Sequence, residues 1–218
     1  MNQRPRRNRK SESIRKMVQE TNLSVNDFIY PLFIVDRSNI KEEISSMPNV
    51  FRWSLNLILK EIESCVNLGI NSFVLFPAVD DSLKDKVATY SFQKENFYLK
   101  AISKIKTEFP SICLMSDVAM DPYSSDGHDG LVENGKILND ETLPILSNMS
   151  IAQAQAGIDI IGPSDMMDGR IGYIRESLDI AGYKNTSIMS YTAKYASAFY
   201  GPFRDALDSK PKEGDKKT

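Results

Sequence analysis

Five short apolar runs recur along this chain, the first four each followed by a stretch of helical spacing, and that alternation constrains the fold more than any other feature. The runs are Phe28 to Val35, Ser72 to Phe76, Ile112 to Ala119, Ile158 to Gly162 and Ser187 to Ala193. Each is nearly continuous in apolar character, as parallel strands buried on both faces are. The first helical stretch has Ser54 as its N-cap, puts Leu55, Ile58, Leu59, Ile62 and Val66 on one face, ends near Asn67 and meets a stop at Gly69. The others are Gln93 to Thr107, Leu143 to Ala156 and Arg170 to Ala181. Another helix, Ser13 to Glu20, precedes the first strand and lies outside the repeat.

Strand, helix, strand in repetition predicts an α/β fold. A closed TIM (β/α)8 barrel needs eight strands and about 250 residues. The 218 residues here predict an incomplete barrel of about the first five βα units, over residues 25–218, with an N-terminal basic arm and helix over 1–24. One long excursion follows the third strand, over residues 121–140, where Asn134-Gly135 between two apolar ends predicts a hairpin. Loops after strands form the active face of such barrels, so this insertion sits where chemistry is expected. From Asp208 to Thr218 the chain has no apolar residue and reads as a loop or a free end.

With 41% hydrophobic and 26% charged residues, the composition is that of a globular protein rather than a disordered chain. The two cysteines, Cys65 and Cys113, lie inside apolar stretches and read as reduced core residues. That usage, the lack of a signal peptide and the lack of any apolar run of about 18 residues place the chain in the cytoplasm, with no membrane partner. Arg4, Arg6, Arg7, Arg9 and Lys10 form a basic cluster that could neutralise phosphates, pair with acidic residues of a neighbouring subunit, or simply stay solvated. A net charge of -2 and the lack of a second basic patch argue against a nucleic-acid partner.

Three segments could carry chemistry. Lys194 follows the fifth strand among Tyr191, Tyr195, Ala196, Phe199 and Tyr200, where partial desolvation would leave some neutral amine able to attack a ketone. It could equally be a surface lysine lying along aromatics. Ten residues on, Arg204 could clamp a carboxylate or pair with Asp205 or Asp208, and Lys216 reads as a solvated tail lysine unless a loop folds over a site. After the third strand, Asp117, Asp121, Asp126, His128 and Asp129 could ligate a hard cation, move protons, or build Asx turns. With His128 the one histidine, a histidine-rich zinc site is excluded, and no nucleotide-binding glycine loop is present. In the third segment, Gly162 to Ile171, Asp165 and Asp168 could support a site, but capping the following helix is the stronger expectation.

Together these segments resemble the porphobilinogen synthase (5-aminolevulinate dehydratase) family over nearly the whole chain. The matching stretches are Arg4 to Arg7, Ile29-Tyr-Pro-Leu-Phe33, Phe76-Pro77, Asp117-Val118 through Gly130, Pro163 to Arg170, and Tyr191 to Ala206. The resemblance implies an α/β barrel with an arm embracing a neighbouring subunit, usually in a homo-octamer. It implies condensation of two 5-aminolevulinate molecules to porphobilinogen, an early step of tetrapyrrole and heme synthesis, with both substrates held as lysine Schiff bases. Lys194 matches the lysine holding the second-bound substrate, Arg204 and Lys216 match positions binding its carboxylate, and Asp117 and Ser164 match positions lining the pocket. Zinc-dependent relatives carry cysteines where this chain has Ala119, Asp121 and Asp129, so the resemblance is to the magnesium-responsive branch: zinc is not expected, and a stimulatory Mg2+ would take ligands outside this chain. Family members continue past Gly214-Asp-Lys-Lys217 to a Val-Lys-Pro segment bearing the other lysine. A chain of these 218 residues is therefore expected to be inactive alone. The competing readings are a non-catalytic fragment that alters the assembly of intact subunits and a generic Schiff-base aldolase.

Overall fold

The computed structural model of the protein describes residues 3–194 and 200–207. Its strands are β1 (Tyr30–Val35), β2 (Lys41–Glu43), β3 (Phe51–Trp53), β4 (Ser72–Ala78), β5 (Cys113–Val118), β6 (Leu131–Glu133), β7 (Lys136–Leu138), β8 (Ile160–Pro163) and β9 (Ser187–Ile188). The helices are α1 (Glu12–Met17), α2 (Leu55–Asn67), α3 (Phe97–Glu108), α4 (Asn139–Gln155), α5 (Arg170–Ile180) and α6 (Tyr200–Leu207). The main sheet runs β2-β3-β1-β4-β5-β8-β9, and every pair from β3 to β9 is parallel.

From β1 onward the strands neighbour one another in chain order, without the reversal that marks a doubly wound sheet. Their two faces are packed differently. Leu32, Ile34, Phe73, Leu75, Leu114 and Ile161 form one core with Ile58 and Ile62 of α2, Ile102 and Ile105 of α3, Leu146 and Met149 of α4, and Ile174 and Leu178 of α5. Each such side chain contributes about 1.5–3 kcal/mol by leaving water. Phe33, Val74, Phe76 and Met115 point the other way and pack with Ala206 and Leu207 of α6. Helices outside and a second apolar layer inside is the section of a TIM barrel through its first five βα units, as the alternation predicts.

Several local expectations are corrected. The fifth strand is regular only over Ser187–Ile188, although Met189 N–H still donates to Ile161 (2.9 Å) and Tyr191 N–H to Pro163 (3.3 Å). The ladder fails because Pro163 has no N–H to return to Met189. Ser54 stands at the start of α2 but its hydroxyl accepts from Ile40 N–H (2.9 Å) instead of capping the helix. The helix after the second apolar run, α3, begins at Phe97, capped by Asn96, rather than at Gln93, and α4 begins at Asn139, four residues before Leu143, with Pro144 inside it. The first helix stops at Met17 and buries nothing. Asp165 and Asp168 do not cap α5: its N-cap is Gly169 at φ +76°, a backbone state that favours glycine. The hairpin forms as expected, β6 against β7, with Asn134 and Gly135 both at positive φ. Among the described residues, no helix is long and apolar enough to cross a membrane.

Candidate active site

A cavity of about 230 Å³ opens at the C-terminal ends of the barrel strands, lined by Phe76, Asp117, Asp121, Ser164, Tyr191, Lys194, Phe203 and Leu207. The strands deliver these residues at or just past their C-terminal ends: Phe76 from β4, Asp117 from β5, Ser164 just past β8, and Tyr191 and Lys194 past β9. Helix α6 closes the inner side, where the Phe203 ring meets Phe33 and Phe76 edge-on at centroid distances of 5.9 and 5.1 Å.

Lys194 Nζ donates to the Ser164 carbonyl and lies 3.8 Å from Asp129 Oδ2. Its side chain keeps 30% of its surface exposed, so the lysine is only partly withdrawn from solvent. Asp129 itself is buried to 1% exposure. The segment carrying the lysine is tied down by Arg170, which donates to the carbonyls of Met167 and Tyr191 (3.1 Å each). Arg170 Nε also lies 3.3 Å from Asp165 Oδ2, and Asp165 accepts from Met167 N–H (2.8 Å). Burial raises the Asp165 carboxyl to about 6, against the pull of Met167 N–H and Arg170.

Asp117 carries the unusual charge state. Burial pushes its carboxyl up to about 7, and the neighbouring Asp121 carboxylate adds to the rise, while a hydrogen bond from Ser164 and the Lys194 charge oppose it. Near neutral pH this acid holds a proton part of the time beside an amine, the pairing that general acid–base chemistry at a carbonyl needs. Burial also raises Tyr191 to about 12, so it stays protonated.

Of the residues singled out from sequence, Lys194, Asp117 and Ser164 meet in this cavity. Arg204 is half-buried on α6 and does not line it, and Lys216 lies outside the described residues. Phe203 and Leu207 were not foreseen as site residues; the Gly201-Pro202 pair reads as a helix breaker, yet Pro202 falls in the first turn of α6, where proline is tolerated. In the loop after β5, Asp121, His128 and Asp129 are buried, and Asp126 N–H closes a turn on the Ser124 hydroxyl (3.2 Å). Ala119, Asp121 and Asp129 offer no thiolate, and the two free cysteines lie elsewhere, Cys65 on α2 and Cys113 at the opposite end of β5. Among the described residues, no group of three or more His, Cys, Asp or Glu is placed to hold a metal ion, so the side chains present do not fit a metal cage.

Comparisons with known proteins point to one family. The family model described as Delta-aminolevulinic acid dehydratase matches residues 2–218. The chain is 54% identical to the delta-aminolevulinic acid dehydratase of Chlamydia pneumoniae, over 100% of this chain and 65% of that protein. It is 51% identical to that of Bradyrhizobium diazoefficiens, over 99% and 61% respectively. Among solved structures, the delta-aminolevulinic acid dehydratase of Toxoplasma gondii, in complex with the reaction product porphobilinogen, superposes with a TM-score of 0.94 at 48% identity, covering 99% of this chain and 61% of that one. The chain thus spans just under two thirds of the length of these relatives.

Proposed function

The chain belongs to the delta-aminolevulinic acid dehydratase family, and from that premise we propose that its protein is a porphobilinogen synthase, joining two molecules of 5-aminolevulinate in tetrapyrrole synthesis. The observation that carries the reading is one cavity holding the Lys194 amine and a buried carboxyl, Asp117, which burial pushes up to about 7. At about 230 Å³ the space is below the ~300–1,000 Å³ of drug-sized sites and suits a small keto acid. The Toxoplasma gondii relative binds porphobilinogen, which supports the same product here.

In this reading the neutral Nζ of Lys194 attacks the C4 ketone of one substrate, and an Nζ proton passes to the oxygen to give a carbinolamine. Asp117 donates its proton to that hydroxyl, the C–O bond breaks, water leaves, and the iminium keeps the remaining N–H. Ser164 steadies the Asp117 carboxylate produced. Arg204 and Lys216 bind the substrate carboxylate, which requires the α6 segment to turn Arg204 toward the site. A second substrate is held by a lysine outside these residues. Magnesium stimulates the enzyme through ligands outside this chain, the assembly is a homo-octamer gripped by the basic arm, and the protein works in the cytoplasm.

The test is to incubate the chain with 5-aminolevulinate and borohydride, which reduces the C=N bond to a stable amine. The expected result is a mass gain of one substrate less one oxygen atom, mapped to Lys194. Adducts spread over surface lysines, or none, would remove Lys194 from the mechanism.

A further inference from the structure

Strand β3 alternates across the sheet: Phe51 and Trp53 pack with the outer core, so Arg52 between them is turned to the inner face. The register sets it in a row, Glu42↔Arg52, Arg52↔Phe33 and Phe33↔Phe76, that runs from an exposed edge to the wall of the Lys194 cavity. Phe33 and Phe76 are buried and apolar, and the Arg52 side chain keeps only 19% of its surface exposed. A charge at such a place needs fixed partners. One is Glu42, itself half-exposed, whose Oε1 lies 3.6 Å from the guanidinium.

The other partners belong to α6. Arg52 Nε donates to the Ala206 carbonyl (2.8 Å), 154 residues along the chain, and Nη2 donates to the Asp205 carbonyl. Both carbonyls lie in the last turn of α6, where a helix leaves its acceptors without partners and carries partial negative charge, so a guanidinium is a matching cap. At eight residues α6 is shorter than the ~12–15 that stay helical unaided, and its place depends on what grips it. Near its start the Ser46 hydroxyl donates to the Pro202 carbonyl (3.3 Å), and one residue on Phe203 lies against the rings of Phe33 and Phe76, the row that Arg52 belongs to. Phe203 and Leu207 are the two residues that α6 supplies to the cavity lining.

We propose that Arg52 is a positioning residue, whose guanidinium caps the C-terminal carbonyls of α6 and so holds Phe203 and Leu207 in place as the inner wall of the Lys194 cavity. Both bonds go to backbone, so the hold acts on the helix as a whole. Glu42 and the pairing of β2 with β3 serve to aim the guanidinium. The hold on α6 stands on geometry alone; its effect on substrate rests on the Schiff-base reading.

The experiment compares the wild-type chain with Arg52→Gln, Phe203→Ala and the double variant, following the borohydride-trapped adduct at Lys194 against 5-aminolevulinate concentration. R52Q should raise the half-saturating concentration by about tenfold to a hundredfold, the scale on which a changed apolar wall alters recognition in a small pocket. The adduct formed at saturation should change by less than about twofold, whereas a partly unfolded sample would lose adduct at saturation and keep its half-point. Because Arg52 acts through the wall, R52Q should cost several-fold less in the F203A background than alone. By NMR, Arg52 Nε should show through-hydrogen-bond coupling to the Ala206 carbonyl in the wild type, and proximity signals from the Phe203 ring to Phe33 and Phe76 should weaken in R52Q. An R52Q half-point within about twofold of wild type, or the same factor in both backgrounds, overturns the role at the site; undiminished ring signals in R52Q overturn the hold. If the wild type forms no adduct the Schiff-base reading fails, and the ring signals still decide the hold. If R52Q does not fold, Arg52→Lys, which keeps the charge and loses the planar fork, takes its place under the same criteria.

Discussion

The two ends of the same sheet are built on opposite terms. At the N-terminal end the charges act as fasteners: Asp159, just before β8, accepts from Lys106 Nζ and from Leu114 N–H (2.8 Å each), and Tyr30 donates to Glu61 (3.1 Å). At the C-terminal end the ladders come undone, β4–β5 at Pro77 and β8–β9 at Pro163, and this end carries buried carboxyls whose ionisation is suppressed. An acid that resists ionising costs stability at neutral pH, so the fold gives up at one end part of what it gains at the other, as sites commonly do.

Exchanging a lysine at each end should break the contrast most sharply. Lys194→Met is expected to abolish the borohydride adduct while leaving the melting temperature nearly unchanged, because the lost amine is partly solvated. Lys106→Met should do the reverse, leaving the adduct and costing about 1–2 kcal/mol, since it removes a charged donor from Asp159 at a half-exposed position. Melting curves and intact mass on the same two samples check both; a stable, adduct-forming K194M would end the distinction.

The pH dependence gives the next largest effect. Asp117 has a folded value of about 7 against about 3.9 unfolded, so between those values the folded chain holds a proton that the unfolded chain has released. Stability must therefore fall as pH rises from about 4 to 7, by a few kcal/mol at most, and level off above. Asp165, at about 6, bends the curve the same way over a narrower window. Asp117→Asn should flatten most of the slope and raise the melting temperature at pH 8 while slowing Schiff-base trapping. Thermal melts across pH 4 to 8 would show it, and an unchanged slope in D117N would place the titrating group elsewhere.

How much of this was legible in the sequence divides along the same line. The outer face was, because helix periodicity and apolar runs are local: α2 ends where Gly69 stops it and the hairpin turns at Asn134-Gly135. Strands β2 and β3 were not, since Lys41-Glu42-Glu43 has no apolar alternation and is a strand only because Phe51–Trp53 pairs with it. At the site, Lys194 and Asp117 could be named from their segments, and Ser164 only through the family resemblance. Gln153 could not, because it is buried on α4 and reads as core; only the structure shows that its Nε2 donates to the Asp117 carbonyl (2.9 Å), which Pro77, with no N–H, cannot serve. Arg204 was assigned to substrate, and the structure places it beside the cavity instead of on its wall.

The close approach of β5 and β8 should also answer to mutation. A Cβ on Gly162 would stand 2.5 Å from the Ser116 carbonyl, which is backbone and cannot step aside as the nearby Met115 side chain could. Gly162→Ala is expected to cost about 1–3 kcal/mol by forcing the strands apart. It should also disturb trapping, because Pro163 and Ser164 follow at once. A G162A chain with unchanged melting would mean that the two strands can separate freely, contrary to a closed seam on that side of Asp117.

The smallest effect separates a fastener from an ornament on one helix. Lys104 and Lys106 both belong to α3 and both reach a carboxylate, Lys104 that of Glu108 one turn on and Lys106 that of Asp159 across the sheet end. The Lys104 pair keeps 50% and 46% of its side-chain surfaces exposed, where solvent screening leaves an i,i+4 pair about 0.3–0.5 kcal/mol. Lys106 is held at 17% exposure and donates as well to the Ile112 carbonyl (2.8 Å). Lys104→Ala should therefore shift denaturant melts by no more than about 0.5 kcal/mol and respond to salt, whereas K106M should shift them several times further and barely respond. Equal losses from the two would show that the sheet end gains nothing from its buried geometry, and the contrast between the two ends would rest on the carboxyls of the site alone.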